Sequence, residues 1–497
     1  MTTSVSGSRR EKTAFLAAAV LILLVFLTLR LMLCYVRSPF FDELFTVWIA
    51  RRSPGGIVRA LLGDSGPPLY YWIVALPVHL LRGTDSSIAQ VPTLRLVSLL
   101  FSFLSVLAVL STKRLKESRW IAAVLLSFFP ASVYFATEAR AYALCGMLVA
   151  FGVLAVHRWT ETGSRGSLVT SFACFFLAAC CHYYGVLFLA VPFVVALLVR
   201  REGMIRDAFS GSLLVGVAYS PFFWLASRQP HDAIRWMASE QSGPGLVLTE
   251  LRHLGFAAPF PAVFLPPPAV WIQMISLLAV AAVVMIGSMR SMKARLFGVM
   301  TLTPLLIAAI GALAGKTMYY PLRFESVLAV PLMLWLAFSL RELPQLLRSV
   351  LVGVFVATGG YSIYTGVLEH RSRPDHPYRL IAESARRRLP ERSTIVVSGL
   401  EYLEVISQRD GRWSPEVLTF PSRQQRHPGW REAGQPVSEL AGEAASLPDA
   451  AGARFFWIGE LGSDEQRALS VQFTLHPILS AGPVVVAVAE SRQKPGP

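Results

Sequence analysis

Asparagine is absent from the chain, so no N-x-Ser/Thr acceptor for an N-linked glycan exists. Charge is also scarce. Asp, Glu, Lys and Arg make up 15% of the residues, against roughly 25% in a soluble domain. That shortfall excludes a chain built only of water-soluble domains, because lipid-facing segments are what cannot carry charge at low cost. Cysteine is limited to Cys34, Cys145, Cys174, Cys180 and Cys181, all in or beside apolar runs. They form neither a disulfide framework nor a zinc spacing, and adjacent Cys180 and Cys181 read as small core residues. Lysine is heavily outnumbered by arginine while Ala, Gly and Pro are plentiful. That is the codon signature of a GC-rich genome and points to a bacterial source.

What is abundant is apolar sequence, 54% of 497 residues. Eleven segments suit transmembrane helices: 14–36, 92–112, 120–136, 140–157, 168–181, 183–200, 207–226, 269–289, 296–315, 321–340 and 347–367. Several are shorter than about 20 residues, which suggests tilted or packed helices. The first follows Arg9, Arg10 and Lys12, and it is too long for a removed signal and lacks a small-residue cleavage site. The short loops 113–119, 158–165, 200–206, 290–295 and 341–348 are all basic and fall on one side. The positive-inside rule assigns that side to the cytoplasm. The N-terminus is then cytoplasmic and the C-terminus lies outside a bacterial plasma (inner) membrane.

The formal net charge is +15. From Arg371 onward, 16 Lys and Arg face 15 Asp and Glu, so the excess belongs to the membrane half. Positive-inside bias accounts for most of it, and anionic lipid ligands for particular outward-facing residues. The expected architecture is a polytopic α-helical membrane domain over 1–370, with outer loops 37–91 and 227–268, followed by a small extracytoplasmic α/β domain over 371–497. In that domain a helix at 378–388 precedes strands at 394–397, 417–420, 454–458 and 484–488. No Gly-rich phosphate loop follows any of these strands, so no catalysis is assigned there. Nothing points to a nucleic-acid partner.

The chemistry-bearing residues sit at the outer ends of the spans. Asp42 and Glu43 follow the first span among Phe40, Phe41, Leu44 and Phe45. Asp42 has the character of a general base for an acceptor hydroxyl; two solvated acids favoured by a helix dipole remain the alternative. Asp64 precedes Pro67-Pro68-Leu69-Tyr70-Tyr71-Trp72, where the prolines start a helix and the aromatics suit an interfacial anchor. Asp64 either binds substrate or caps the turn. Glu138, Arg140 and Tyr142 share a very short outer loop. Arg140 cannot lose its charge and needs an anion, which is either Glu138 or a lipid phosphate. His182 and Tyr183 occupy the next outer turn. Lys316, Tyr320 and Arg323 lie at the last, where two cations and aromatics suit a phosphate with an apolar tail. If the helices bundle, these groups converge on one cavity.

The succession Phe-Asp-Glu at 41–43, Asp-x-x-Pro-Pro-Leu-Tyr-Tyr at 64–71, Glu-Ala-Arg-x-Tyr-Ala-Leu at 138–144 and His-Tyr-Tyr-Gly at 182–185 resembles the GT-C glycosyltransferases. Glycosyltransferase family 39, the dolichyl-phosphate-mannose protein mannosyltransferases, is similar, as are the bacterial lipid A aminoarabinose transferases. The resemblance covers roughly 14–370. It implies inverting sugar transfer from a polyprenyl-phosphate donor to a lipid, glycan or protein hydroxyl, with Asp42 as base and Glu43 supporting or binding. It also implies Arg140 and Arg323 at the phosphate, and closure of a loop carrying His231, Asp232 and Arg235 over the substrates. No matching metal cluster stands out, so the metal ligands are unknown and a divalent metal stays open; no other cofactor is implied. A transporter or flippase of lipid-linked sugars is the alternative. It predicts an inverted repeat and mid-membrane polar residues, whereas the charges here cluster at the outer edge.

Overall fold

The computed structural model describes residues 4–37, 39–80, 87–230, 253–257, 267–313, 323–372, 377–398, 402–409, 412–421, 437–451 and 454–492. In chain order, the membrane half contains α1 (Ser4–Val36), α2 (Phe41–Ala50), α3 (Pro54–Leu61), α4 (Leu69–Leu80), α5 (Ser87–Ser111), α6 (Ser118–Phe128), α7 (Pro130–Ala136), α8 (Tyr142–Thr162) and α9 (Arg165–Cys181). A 3-10 helix at Tyr183–Ala190 runs into α10 (Val191–Val199). Then come α11 (Glu202–Ala218), α12 (Ser220–Arg228), α13 (Pro267–Arg290), α14 (Met292–Leu313), α15 (Arg323–Arg341) and α16 (Gln345–Ser372).

Within the described residues, each of the eleven apolar segments is mainly helical, but the helices differ in length. Among the described residues, seven helices are long and apolar enough to cross a membrane, and nine if two bent pairs each count as one span. Arg165–Cys181 and the segment Tyr183–Val199 are shorter. The expected count of eleven spans, several of them short, is not confirmed by this length and composition criterion. Between α1 and α5, residues 39–80 hold three short helices, α2 to α4, as expected for a stretch too polar to span.

The bends have local causes. Pro130 has no N–H to offer the preceding turn, and α6 and α7 meet there at 65°. The break frees carbonyls inside the bundle, and Arg30 of α1 takes them up. Its guanidinium donates to the carbonyls of Leu126 at 3.0 Å and Ser127 at 3.3 Å and to Ser132 Oγ at 3.1 Å, and lies 3.6 Å from the centre of the Phe26 ring. A cation at the carbonyl end of α6 also meets that helix's dipole favourably. α8 and α15 form the interior of the bundle, with 78% and 89% of their apolar windows buried. The peripheral helices turn large apolar side chains outward, including Leu21, Leu213, Leu214, Ile275 and Met289. Such a surface suits lipid and not water.

The C-terminal part begins with α17 (Pro377–Arg388) and β1 (Thr394–Ser398). α18 (Tyr402–Ser407), β2 (Glu416–Phe420), α19 (Val437–Ala451), β3 (Arg454–Glu460), α20 (Asp464–Gln472), β4 (Phe473–Ala481) and β5 (Val484–Ser491) complete it. The strands form one mixed sheet in the order β2-β1-β3-β5-β4. β1 runs parallel to β2 and β3, and β5 runs antiparallel to β3 and β4. The four expected strands are present, and β4 is an addition. Its exposed, irregular pattern around Pro477 carries no alternation that marks a strand. Period-two alternation sends Ile395 and Val397 to one face, under α17, and Val396 to the other, under α19 and α20. Leu403 of α18 is buried in the membrane-half core together with Leu44 and Phe45 of α2, which seats the sheet domain against that helix.

Candidate active site

The site is built around the first turn of α2. Phe40 is extended and caps the helix, and the Glu43 carboxylate reaches back to accept the Phe40 N–H at 3.3 Å. Glu43 also receives a two-pronged ion pair from Arg95 of α5, Nε to Oε1 at 2.8 Å and Nη2 to Oε2 at 2.5 Å, plus the backbone N–H of Ala139 at 2.9 Å. The remaining arm of Arg95 donates to the carbonyls of Cys34 at 2.8 Å and Arg37 at 2.6 Å. One buried pair thus ties together the end of α1, the start of α2, α5 and the link between α7 and α8. Burial alone would raise the Glu43 pKa; the charge and hydrogen bonds of Arg95, with Arg37 and the Ala139 amide, lower it instead. The sequence suggested Glu43 as a substrate contact. Its side chain is 0% exposed and its oxygens are taken by protein donors, so it is a buried support beside Asp42.

Asp42 points the other way. It has 20% of its side-chain surface open, and Oδ2 lies 3.3 Å from Arg323 Nη2 and 3.9 Å from Arg140 Nε. Arg140 Nη1 also reaches the Asp42 carbonyl at 3.5 Å. Arg140 lies 98 positions along the chain from Asp42 and Arg323 lies 281. The three are brought together because α2, the 137–141 link and the N-terminus of α15 meet at one end of the bundle. Of the two anions considered for Arg140, Glu138 is not the partner: the guanidinium faces Asp42.

Glu138 lies in the field of Arg37 and Arg323. It is 2% exposed, and burial, only partly opposed by those two cations, pushes its carboxyl up to about 7. Asp64 follows the same logic: burial outweighs Arg140 and the Ser65 amide and raises it to about 7. His182 ends α9 in an extended conformation and accepts the Tyr184 N–H on Nδ1 at 3.2 Å. Burial, with Arg140 and Arg323 nearby, lowers its pKa to about 3. The imidazole is therefore neutral with its proton on Nε2, which makes it a donor and not a base. Gly185 allows this corner, since a Cβ there would fall on the Ala178–Ala179 peptide.

Aromatic rings gather beside these charges. Tyr142 stands 5.1 Å from His182, His182 4.3 Å from Tyr184, and Tyr184 5.0 Å from Phe324, with the Arg323 guanidinium 5.7 Å from the Tyr142 ring centre. Tyr142 also lines a small pocket between α5, α7, α8 and α15, past Ser102, Ser105, Ser132, Gly146 and Ser326. Two residues expected at substrate are engaged elsewhere. Tyr70 is 1% exposed and packs edge-on to Tyr71 at 5.7 Å. The Tyr183 hydroxyl donates to Gln229 Oε1 at 2.6 Å. Gln229 in turn donates to the carbonyls of Leu61 at 2.8 Å and Gly66 at 2.9 Å, which pins the turn that carries Asp64. Asp232, Lys316 and Tyr320, together with His231 and Arg235, lie outside the described residues. Among the described residues, no three His, Cys, Asp or Glu side chains are grouped to hold a metal ion.

Arg37, Arg95 and Gln229 belong to the site without having stood out in the sequence. Arg95 interrupts an apolar run, and a cation there needs an anion; that signal was available. Arg37, whose guanidinium lies 3.9 Å from the Tyr134 ring centre and donates to Thr137 Oγ1 at 3.2 Å, and Gln229 carry no such signal.

This architecture is a polytopic helical bundle with a small sheet domain seated on it, and it is the GT-C fold. It is similar to ArnT from Cupriavidus metallidurans in the apo state, with a TM-score of 0.58 at 13% identity, covering 97% of this chain and 98% of that one. It is also similar to the oligosaccharyltransferase AglB from Archaeoglobus fulgidus in complex with an inhibitory peptide and a dolichol-phosphate, with a TM-score of 0.51 at 11% identity and 97% and 75% coverage. The arabinofuranosyltransferase AftD from Mycobacteria gives a TM-score of 0.50 at 15% identity, with 97% of this chain and 40% of that one covered. All three are GT-C glycosyltransferases. No family model and no curated protein matches the sequence.

Proposed function

We propose that the protein is a glycosyltransferase that moves a sugar from a polyprenyl-phosphate donor to a hydroxyl of a lipid, glycan or protein acceptor. The membrane is the plasma membrane of a bacterium, the N-terminus is cytoplasmic, and the site faces outward together with the domain that begins near residue 371. The observation that carries this reading is the meeting of Asp42 with Arg140 and Arg323. One partly open carboxylate flanked by two permanent cations supplies both a base and a phosphate site. Two of the four nearby carboxyls, Asp64 and Glu138, sit at about 7. Part of the negative charge is thus neutralised at neutral pH, leaving the site electropositive.

In this scheme Asp42 accepts the proton of the acceptor hydroxyl as its oxygen attacks the anomeric carbon. The bond from that carbon to the phosphate oxygen breaks, and its electron pair leaves with the polyprenyl phosphate. A single displacement with no enzyme nucleophile inverts the anomeric centre. Arg140 and Arg323 stabilise the charge that develops on the leaving phosphate. His182, a neutral Nε2–H donor, and the Tyr142 ring orient the sugar. Asp42 as base would contribute about a hundred- to ten-thousand-fold. The pairing of AglB with a dolichol-phosphate supports a lipid monophosphate as the carrier class.

Mass spectrometry of lipids tests this even while the sugar is unidentified. A strain lacking the gene should accumulate an unconsumed polyprenyl-phosphate sugar. The wild-type gene should clear it, and an Asp42→Asn gene expressed at the same level should not. Absence of any accumulated lipid, or clearance by the Asn variant, refutes the assignment.

A further inference from the structure

Asp42 needs a free carboxylate to take a proton, and the donor phosphate needs free guanidinium groups. In this structure the two requirements collide. Asp42 Oδ2 is held by Arg323 at 3.3 Å and faces Arg140 at 3.9 Å, so base and phosphate site neutralise one another. The side chains concerned are between 17% and 20% exposed, so the contact is open on one side to an incoming anion. Asp42 has little freedom to leave on its own. Its backbone is fixed by the capped start of α2 and by the Glu43–Arg95 pair beside it. Arg140 stays near whatever happens to the carboxylate, because Nη1 also holds the Asp42 carbonyl.

We propose that the Asp42 carboxylate occupies the donor's phosphate subsite on Arg140 and Arg323, and that arrival of the lipid phosphate displaces it and thereby releases the base. The claim that the displacing anion is a polyprenyl phosphate rests on the glycosyl-transfer reading; the competition itself rests on the contacts. The donor phosphodiester brings two non-bridging oxygens, one for each guanidinium, where Asp42 meets both through Oδ2 alone, so it competes effectively for the two cations. Once displaced, Asp42 keeps its position on α2, and its carboxylate oxygens are released from the guanidinium contacts to accept the acceptor's proton. The acceptor is therefore activated only after donor has bound. The order donor first, acceptor second is built into the side chains and needs no lid, and it guards the site against idle deprotonation of an acceptor or water.

This arrangement makes an unusual prediction. Removing the base should tighten, not weaken, binding of the lipid phosphate. Undecaprenyl monophosphate is the probe, titrated into the full-length protein in nanodiscs and read by native mass spectrometry. Asp42→Asn should bind it about tenfold more tightly than wild type, and Asp42→Ala, which keeps no hydrogen-bonding group, should do the same. Arg140→Gln and Arg323→Gln should each weaken binding. Equal or weaker binding by both Asp42 variants, with wild type binding and the two Arg variants impaired, overturns the competition while leaving the phosphate site intact. Absence of binding by wild type and by both Asp42 variants removes the lipid-phosphate assignment and the displacement with it.

Discussion

The buried pair of Glu43 and Arg95 offers the sharpest test of how the site is held. Neither side chain is exposed by more than 1%, and between them they gather the end of α1, the cap of α2, α5 and the Ala139 amide. Removing one member of such a pair strands the other charge away from water, which costs about 3–5 kcal/mol. Replacing both with apolar residues of similar volume, Glu43→Leu with Arg95→Met, removes both desolvation penalties and should recover much of that loss, although the backbone groups left behind limit the recovery. Unfolding in mixed micelles of wild type, the two single variants and the double variant gives the coupling energy directly. Hydrogen exchange supplies a local readout: the Ala139 amide should lose protection in every variant that lacks the Glu43 carboxylate. The pH dependence has a definite sign. The folded-state pKa of Glu43 is lowered, so its contribution is present above the ordinary carboxylate range and is lost as pH falls through the folded value. Single variants that cost less than about 1 kcal/mol would behave like an exposed ion pair. That result would show that the cluster does not clamp α2 and would undercut the placement of Asp42.

Asp64 and Glu138 titrate in the opposite sense. Burial raises both to about 7, whereas an unfolded chain releases such protons near pH 4, about the ordinary carboxylate value. The folded state binds more protons across that interval, so stability should fall as pH rises from about 4 to 7 and then level off. Unfolding midpoints of Asp64→Asn and Glu138→Gln should show a flatter slope than wild type; identical slopes would refute the shifts. Arg30→Leu should destabilise the protein by about 2 kcal/mol by stranding the carbonyls freed at the Pro130 break, and Arg30→Lys should not restore it, because a point charge cannot serve acceptors spread along a planar fork. Full rescue by lysine, seen as a recovered melting midpoint, would remove the capping role. Gln229→Leu should cost about 1–3 kcal/mol and speed exchange of the Gly66 amide, which donates to Gln229 Oε1 at 3.3 Å; unchanged exchange would mean that the Asp64 turn is held by other contacts.

How much of this was legible in the sequence depends on which physical signal each feature leaves. Apolar length is a strong signal, and all eleven helical segments were found by it. Their completeness as spans was not, because two of them bend, at Pro130 and just before Pro221, and the 3-10 turn at 183–190 shortens another, and hydropathy averages over such breaks. The β5 strand announced itself by an apolar run, while β4 at the sheet edge left none. The acids show the limit most clearly. Asp42, Glu43, Asp64 and Glu138 are the same kind of residue at the same end of the bundle, and nothing in their spacing separates them. The structure gives them three different states: Asp42 in an open contact with two cations, Glu43 locked to Arg95, and Asp64 and Glu138 buried with raised pKa values. What sorts them is whether an arginine from a distant segment arrives in hydrogen-bonding contact, and that is a property of helix packing. Arg95 reaches Glu43 because α5 packs on α2, and Arg323 reaches Asp42 because α15 begins beside it. A carboxylate's role at this site is thus set by its cation. Moving a guanidinium by one helical turn would exchange the open carboxylate for a structural strut without changing a single acid.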